Sequence, residues 1–165
     1  MSNQVFNEKQ SYKGSWIMYL ILLTEIPTLI LMLVLFFTSE DKQEMGIALA
    51  VVLSVLALSI SLILSISLET RIDQFGIQYK YYPFIRNWRK IAKNEILDVR
   101  VITFNPIFDY GGYGMKRNRN TKLYNILGDE GLLINTGEKR KILLGTSERK
   151  RLEVFLATWK EEGDA

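Results

Sequence analysis

Two long apolar runs constrain this chain more than any other feature. Residues 16–37, WIMYLILLTEIPTLILMLVLFF, hold one acidic or basic residue, Glu25, and residues 46–68, GIALAVVLSVLALSISLILSISL, hold none. Wound as a helix, either run is long enough to cross a hydrocarbon core of about 30 Å. Both contain many β-branched residues, but two isolated strands leave their backbone groups unpaired in lipid, so helices are the spanning form available. The first run is longer than the core of a secretory signal, about 7–15 residues, and FFTSEDKQE follows it in place of a small-x-small cleavage site, so it reads as a retained anchor. The expected organisation is a segment 1–15, a span 16–37, a short external loop 38–45, a second span 46–68 and a domain 69–165.

Charge sets the expected orientation. The connection between the runs carries Glu40, Asp41 and Glu44 against Lys42, whereas residues 69–165 hold 18 of the 21 Lys and Arg against 13 of the 18 Asp and Glu. Short loops poor in Lys and Arg are exported and basic flanks are retained, so both termini are expected on the cytoplasmic side of the cell membrane. With no cysteine and no histidine, thiolate and imidazole catalysis and the usual zinc and haem ligands are unavailable. No cofactor, metal or catalytic residue is expected, and the chain is read as a non-enzyme.

Within the hairpin, Glu25 falls level with Ala57, and Ser54, Ser61 and Ser65 recur at helical spacing. Glu25, Ser54 and Ser61 are the candidate intramembrane polar contact. Glu25 either meets a partner helix or is satisfied inside the hairpin, by a serine or by carbonyls freed at Pro27.

The remainder alternates like strands. Ile77, Tyr79 and Tyr81 alternate with Gln78, Lys80 and Tyr82, and Leu97, Val99 and Val101 with Asp98 and Arg100. GLLINTGEKRKILLGT reads as a hairpin pairing Leu132 and Ile134 with Ile142 and Leu144. In SERKRLEVFLATWK the period changes: Leu152, Phe155, Leu156 and Trp159 mark one face of a helix that Thr146 or Ser147 can cap. Arg149, Lys150 and Arg151 crowd its first turn, where the helix dipole disfavours cations, so they are either solvated or held by an anionic partner.

Strands followed by one amphipathic helix indicate a curved antiparallel sheet or partial barrel with a C-terminal helix, mainly β within an α+β class. VFNEKQSYKGSW, GIQYKYYPF, WRKIAKNEI, FNPIFDYGGYGMK, YNILGDEGLLI and KILLGT together resemble a prokaryotic family of two-span membrane proteins carrying a bacterial pleckstrin-homology-like domain, along nearly the whole chain. Tyr113 stands where that family usually has Trp, and Met115-Lys116 where it has Ile-Arg. The resemblance implies the fold and no assigned activity. Phosphoinositide binding, which eukaryotic pleckstrin-homology domains support with basic residues around the first hairpin, does not carry over, because the corresponding DQFG has none.

Gly111, Gly112 and Gly114 fit neither GxGxxG nor GxxxxGK[ST], and no helix signal follows them, so they are read as a structural turn with Tyr110 and Tyr113 packed around it. Two basic groups flank it. Arg86, Arg89, Lys90 and Lys93 lie among Phe84 and Trp88; Lys116, Arg117 and Arg119 follow the glycines. They are the candidate membrane- or partner-facing residues, the alternative being a solvated turn. A nucleic-acid role is not favoured, since no recognition helix or RNA-binding motif accompanies them. The expected function is an interaction module held at the cytoplasmic membrane face, its partners the lipid bilayer and a protein. The alternative is an accessory subunit of a larger membrane or transport complex that docks through the hairpin and Glu25.

Overall fold

The structure, a computed structural model, describes residues 5–161. Packing divides it into a helical hairpin, Ser11–Ile66, and a β-rich unit built from residues on both sides of that hairpin.

The hairpin consists of α1, Trp16–Thr38, and α2, Lys42–Ser65, both long and apolar enough to cross a membrane. The second helix begins earlier and ends earlier than the run 46–68 suggested. Asp41 Oδ1 accepts from the Gln43 and Glu44 N–H groups, each at 3.0 Å, and so starts the helix inside the polar connection. Lys42 Nζ donates to the Phe36 and Phe37 carbonyls at 2.9 and 2.7 Å, covering acceptors that the end of α1 leaves free. At the other end Ser67 and Leu68 belong to a strand, and Leu68 is buried in the β-rich unit.

That unit contains two sheets. The first has the order β1–β2–β3–β4, with β1 at Phe6–Ser11, β2 at Ser67–Asp73, β3 at Gly76–Tyr82 and β4 at Ile85–Ala92. Its core face carries Phe6, Leu68, Ile72, Ile77, Tyr79 and Tyr81, all buried, in the alternation of a half-buried sheet. The domain therefore does not begin at residue 69. Its first strand precedes the hairpin, inside what the sequence offered only as an N-terminal segment, and the chain returns from α2 into the neighbouring strand.

The second sheet has the order β5–β8–β9–β7–β6, with β5 at Asp98–Thr103, β6 at Gly114–Arg117, β7 at Thr121–Asn125, β8 at Glu130–Asn135 and β9 at Lys141–Gly145. The β8–β9 hairpin has the expected register, Leu132 opposite Leu144 and Ile134 opposite Ile142. However, β9 also runs parallel to β7, so this sheet is mixed, not antiparallel, and the two sheets do not join into a closed barrel. Its apolar runs are continuous because both faces are covered. Leu132, Ile134 and Leu144 are buried on one face, and on the other Leu123, Leu133 and Leu143 pack with Phe104, Ile102 and Tyr110.

The C-terminal helix α4, Arg149–Glu161, buries Leu152, Leu156 and Trp159. Thr146 Oγ1 accepts from the Glu148 N–H at 3.1 Å at its start. Two of the three cations of its first turn are held within the chain, Arg149 reaching Glu153 at 2.8 Å and Glu130 at 3.2 Å and Arg151 reaching Glu148 at 2.5 Å, while Lys150 is exposed. Hydrogen bonds to Glu153, then to Glu130, raise the Arg149 pKa above its ordinary value.

Candidate functional site

Strand parity separates the first basic group. In β4, Lys90 lies opposite Gln78 and Arg89 opposite Tyr79, so Lys90 takes the outward face and Arg89 the core side. Arg86 and Trp88 share the parity of Lys90. Lys80 of β3 sits over the Trp88 ring at 4.8 Å and bonds Glu69 at 2.7 Å, and Glu69 also holds Lys9 of β1 at 3.0 Å. Burial pushes the Glu69 pKa up, but the hydrogen bonds and charges of Lys80 and Lys9 outweigh it and leave it below the ordinary value. The result is an outward face of alternating charge around one tryptophan, with a shallow groove of about 400 Å³ lined by Asn7, Lys9, Glu69, Arg71 and Trp88.

Arg89 turns into a separate cleft of about 300 Å³ with Tyr79, Lys122, Thr136, Glu138 and Ile142. Burial first, then Tyr124, raises the Tyr79 pKa, with Arg89 opposing. Lys122 meets Glu138 at 3.5 Å across this cleft. Lys93 is half-buried and engaged within the chain. Its Nζ donates to the Trp159 carbonyl at 2.7 Å and lies 4.5 Å from the Trp159 ring centroid, so it fastens the last turn of α4. The first basic group thus occupies three environments.

The glycine turn follows a short helix, α3, Pro106–Tyr110, which the sequence reading missed. Its start is signalled by Asn105, whose Oδ1 accepts from the Ile107 and Phe108 N–H groups at 3.1 Å each. Gly111 closes that helix at φ 74°, and Gly112 follows at φ 129°; both values are ones that a side chain resists. Tyr110 meets Phe104 edge-on at 5.8 Å, so the segment covers one face of the second sheet. Tyr113 is half-buried. Lys116 and Arg117 are exposed on the edge strand β6, and Arg119 is exposed in the following turn. That turn is organised by Asn118, whose Oδ1 accepts from Asn120 and Thr121.

In the hairpin, Glu25 shares the half-buried stripe of α1 with Met18, Ile21, Leu29, Met32 and Phe36. A pocket lined by Ile21 and Ile60, with Gly46 beside Phe36, sets a register that brings Glu25 level with Leu56. Ser54 and Ser61 are exposed, and the Ser54 hydroxyl donates to its own helix at Ala50 O, 2.8 Å. The serines therefore do not satisfy Glu25: the half-buried stripe of α2 runs through Leu49, Val52, Leu56 and Ile60, and the serines fall off it.

The most heavily bonded acid lies elsewhere. Glu8 of β1 is buried and accepts from Thr146 Oγ1 at 2.6 Å, from Ser147 N and Oγ at 2.7 and 2.8 Å, and from Gln10 Nε2 at 2.9 Å. Gln10 Nε2 also donates to the Gly145 carbonyl at 2.7 Å. Two of the motifs behind the family resemblance, VFNEKQ and KILLGT, meet in this cluster. Among the described residues no three His, Cys, Asp or Glu side chains are grouped to hold a metal. No family model, curated protein or solved structure matches the chain.

Proposed function

We propose that the chain is a non-catalytic membrane protein in which the helical hairpin anchors a pleckstrin-homology-like interaction domain at the cytoplasmic face. Two sheets and a C-terminal helix support that fold reading; the additional strand β1 and the parallel β7–β9 pair are departures from the simplest form of it. The carrying observation is the insertion of the hairpin between two neighbouring strands. Residues 12–15 join β1 to α1, and Ile66 alone joins α2 to β2. At about 3.5 Å per residue, such connections hold the domain within reach of the headgroups and rule out a long tether.

The ligand class follows from the surface. Exposed Lys and Arg near an anionic leaflet contribute about 1 kcal/mol each, a long-range attraction that orients a domain without a closed pocket. The accessory-subunit reading draws less support, because Glu25 lies on the inner stripe of the hairpin and not on its outer surface. Crosslinking in native membranes followed by affinity purification tests the proposal. A partner crosslinked through the β-rich unit and retained in Glu25→Ala is the expected result; an integral-membrane partner lost in Glu25→Ala would replace it with the accessory-subunit reading.

A further inference from the structure

Both connections to the hairpin leave from one end of the first sheet. Lys9 pairs with Glu69 at 3.0 Å, two residues before β1 ends at Ser11 and two after β2 starts at Ser67. Ser67 lies opposite Tyr82, the last residue of β3, so the β3–β4 turn belongs to that same end. Tyr81 stacks on Phe84 at 6.2 Å and its hydroxyl donates to the Asn125 carbonyl at 3.2 Å, while Asn125 pairs with Gly114. This chain of contacts brings Gly114, where the glycine loop ends, to the end of the first sheet at which β1 stops and β2 starts; α3 immediately precedes that loop and follows β5, whose last residue, Thr103, pairs with Glu130 at the start of β8.

That end is apolar where it meets solvent. Tyr82 is 42% exposed, Phe84 59%, Ile107 59% and Phe108 88%. Two cations accompany them: Arg86 is exposed just beyond Phe84, and the Lys116 side chain lies beside Gly112. Aromatic residues mixed with Lys and Arg are the composition of a membrane–water interface. Exposure alone would not single out this end, because Phe75, in the β2–β3 turn at the opposite end of the sheet, is 73% exposed. Connectivity makes the distinction.

We infer that Tyr82, Phe84, Ile107 and Phe108 form an apolar tip that inserts into the headgroup region of the bilayer carrying the hairpin, with Arg86 and Lys116 meeting lipid phosphates. The glycine loop then has two roles: Tyr110 covers the second sheet, and the exposed side of α3 faces lipid. This inference rests on the reading of the hairpin as a membrane anchor, and the test separates the two.

The chain lacks cysteine, so single spin-labelled cysteines can be placed by Phe84→Cys, Phe108→Cys, Phe75→Cys and Leu31→Cys in the full chain, reconstituted in phosphatidylcholine–phosphatidylglycerol vesicles. Phe108 is almost fully exposed, so labelling there leaves the fold intact even if Phe84→Cys disturbs Tyr81. The expected result is loss of collision with a water-soluble nickel chelate and gain of collision with oxygen at 84, 108 and 31, with the reverse at 75. If 84 and 108 behave like 75 while 31 remains in lipid, the tip inference is overturned and the anchor stands. If 31 is also accessible to nickel, both fall. Spectral broadening at 84 or 108 that disappears on dilution with unlabelled chain would assign the tip to a second copy and overturn lipid insertion.

Discussion

Glu8 is a carboxylate placed where its loss strands several donors at once. Removing it leaves the Thr146 hydroxyl and the Ser147 N–H and hydroxyl without their acceptor, and hydrogen bonds to a charged group are worth about 1.5–3 kcal/mol. Glu8→Ala should therefore destabilise the β-rich unit by about 2–3 kcal/mol. Glu8→Gln should cost less, since its amide retains one acceptor but turns an NH₂ toward donors. Amide hydrogen exchange in β9 of the full chain reads the difference. Lys9→Ala is the control: its exposed ion pair with Glu69 should contribute less than about 1 kcal/mol. A comparable backbone test lies at Gly112, where φ of 129° makes Gly112→Ala cost about 1 kcal/mol, the only atom near the added methyl group being Lys116 Cε at 4.0 Å, an ordinary contact. An unchanged exchange pattern together with loss of a crosslinked partner would make that glycine a contact and not a turn. Nothing in the sequence distinguished Glu8, because its main partner is 138 residues away and the local pattern shows only a polar residue in a short segment.

At the scale of elements, what could be read from sequence is what a local period encodes. The two spans, the β8–β9 register and the buried face of α4 each depend on residues close in the chain. Insertion of β9 between β8 and β7, and of β1 beside β2, depends on pairings between distant segments, and nothing in a period of two names the neighbour. The first basic group divides for a related reason: Arg86, Arg89 and Lys90 of β4 and Lys93 of the following turn are close in sequence, yet strand parity and the turn at Lys93–Glu95 send them to different surroundings. The element β1 has a testable weight. Phe6 is 1% exposed and packs on Phe155 at 5.9 Å, and Phe→Ala in a core costs about 3–5 kcal/mol. A fragment of residues 69–165 alone should be poorly protected in hydrogen exchange, whereas residues 5–11 joined by a short linker to 67–161 should melt cooperatively. Equal stability of the two fragments would remove β1 from the core. The outward face of the same sheet supplies a pH test. Because the Glu69 pKa is lowered in the folded chain, its contribution is present above the unfolded carboxylate value and is lost as pH falls through the folded one. Glu69→Gln should flatten the stability profile in that acid range and leave it unchanged in slope near neutrality.

For the whole molecule, the sheet imposes a topological condition that charge counting does not. Since β1 and β2 are neighbours in one sheet, the segments before α1 and after α2 must lie on the same side of any membrane that the hairpin crosses. An even number of crossings is therefore required whatever the orientation, and the acidic connection must face the other side. On the proposed reading, the positive-inside bias predicts which side is which, since 18 of the 21 Lys and Arg follow the second run. Three exposed positions test the two statements separately. Lys13 lies between β1 and α1, Glu40 in the connection, and Arg119 in the β6–β7 turn, where it avoids the Asn118 side chain that organises the turn. With Lys13→Cys, Glu40→Cys and Arg119→Cys made singly, an impermeant maleimide applied to intact cells should label only position 40, and lysis should expose all three. Labelling of 13 and 119 with protection of 40 would invert the orientation and place the apolar tip on the outer leaflet, while the shared sheet would stand. Disagreement between 13 and 119 would break the β1–β2 pairing itself, because a strand cannot complete a sheet from across a bilayer.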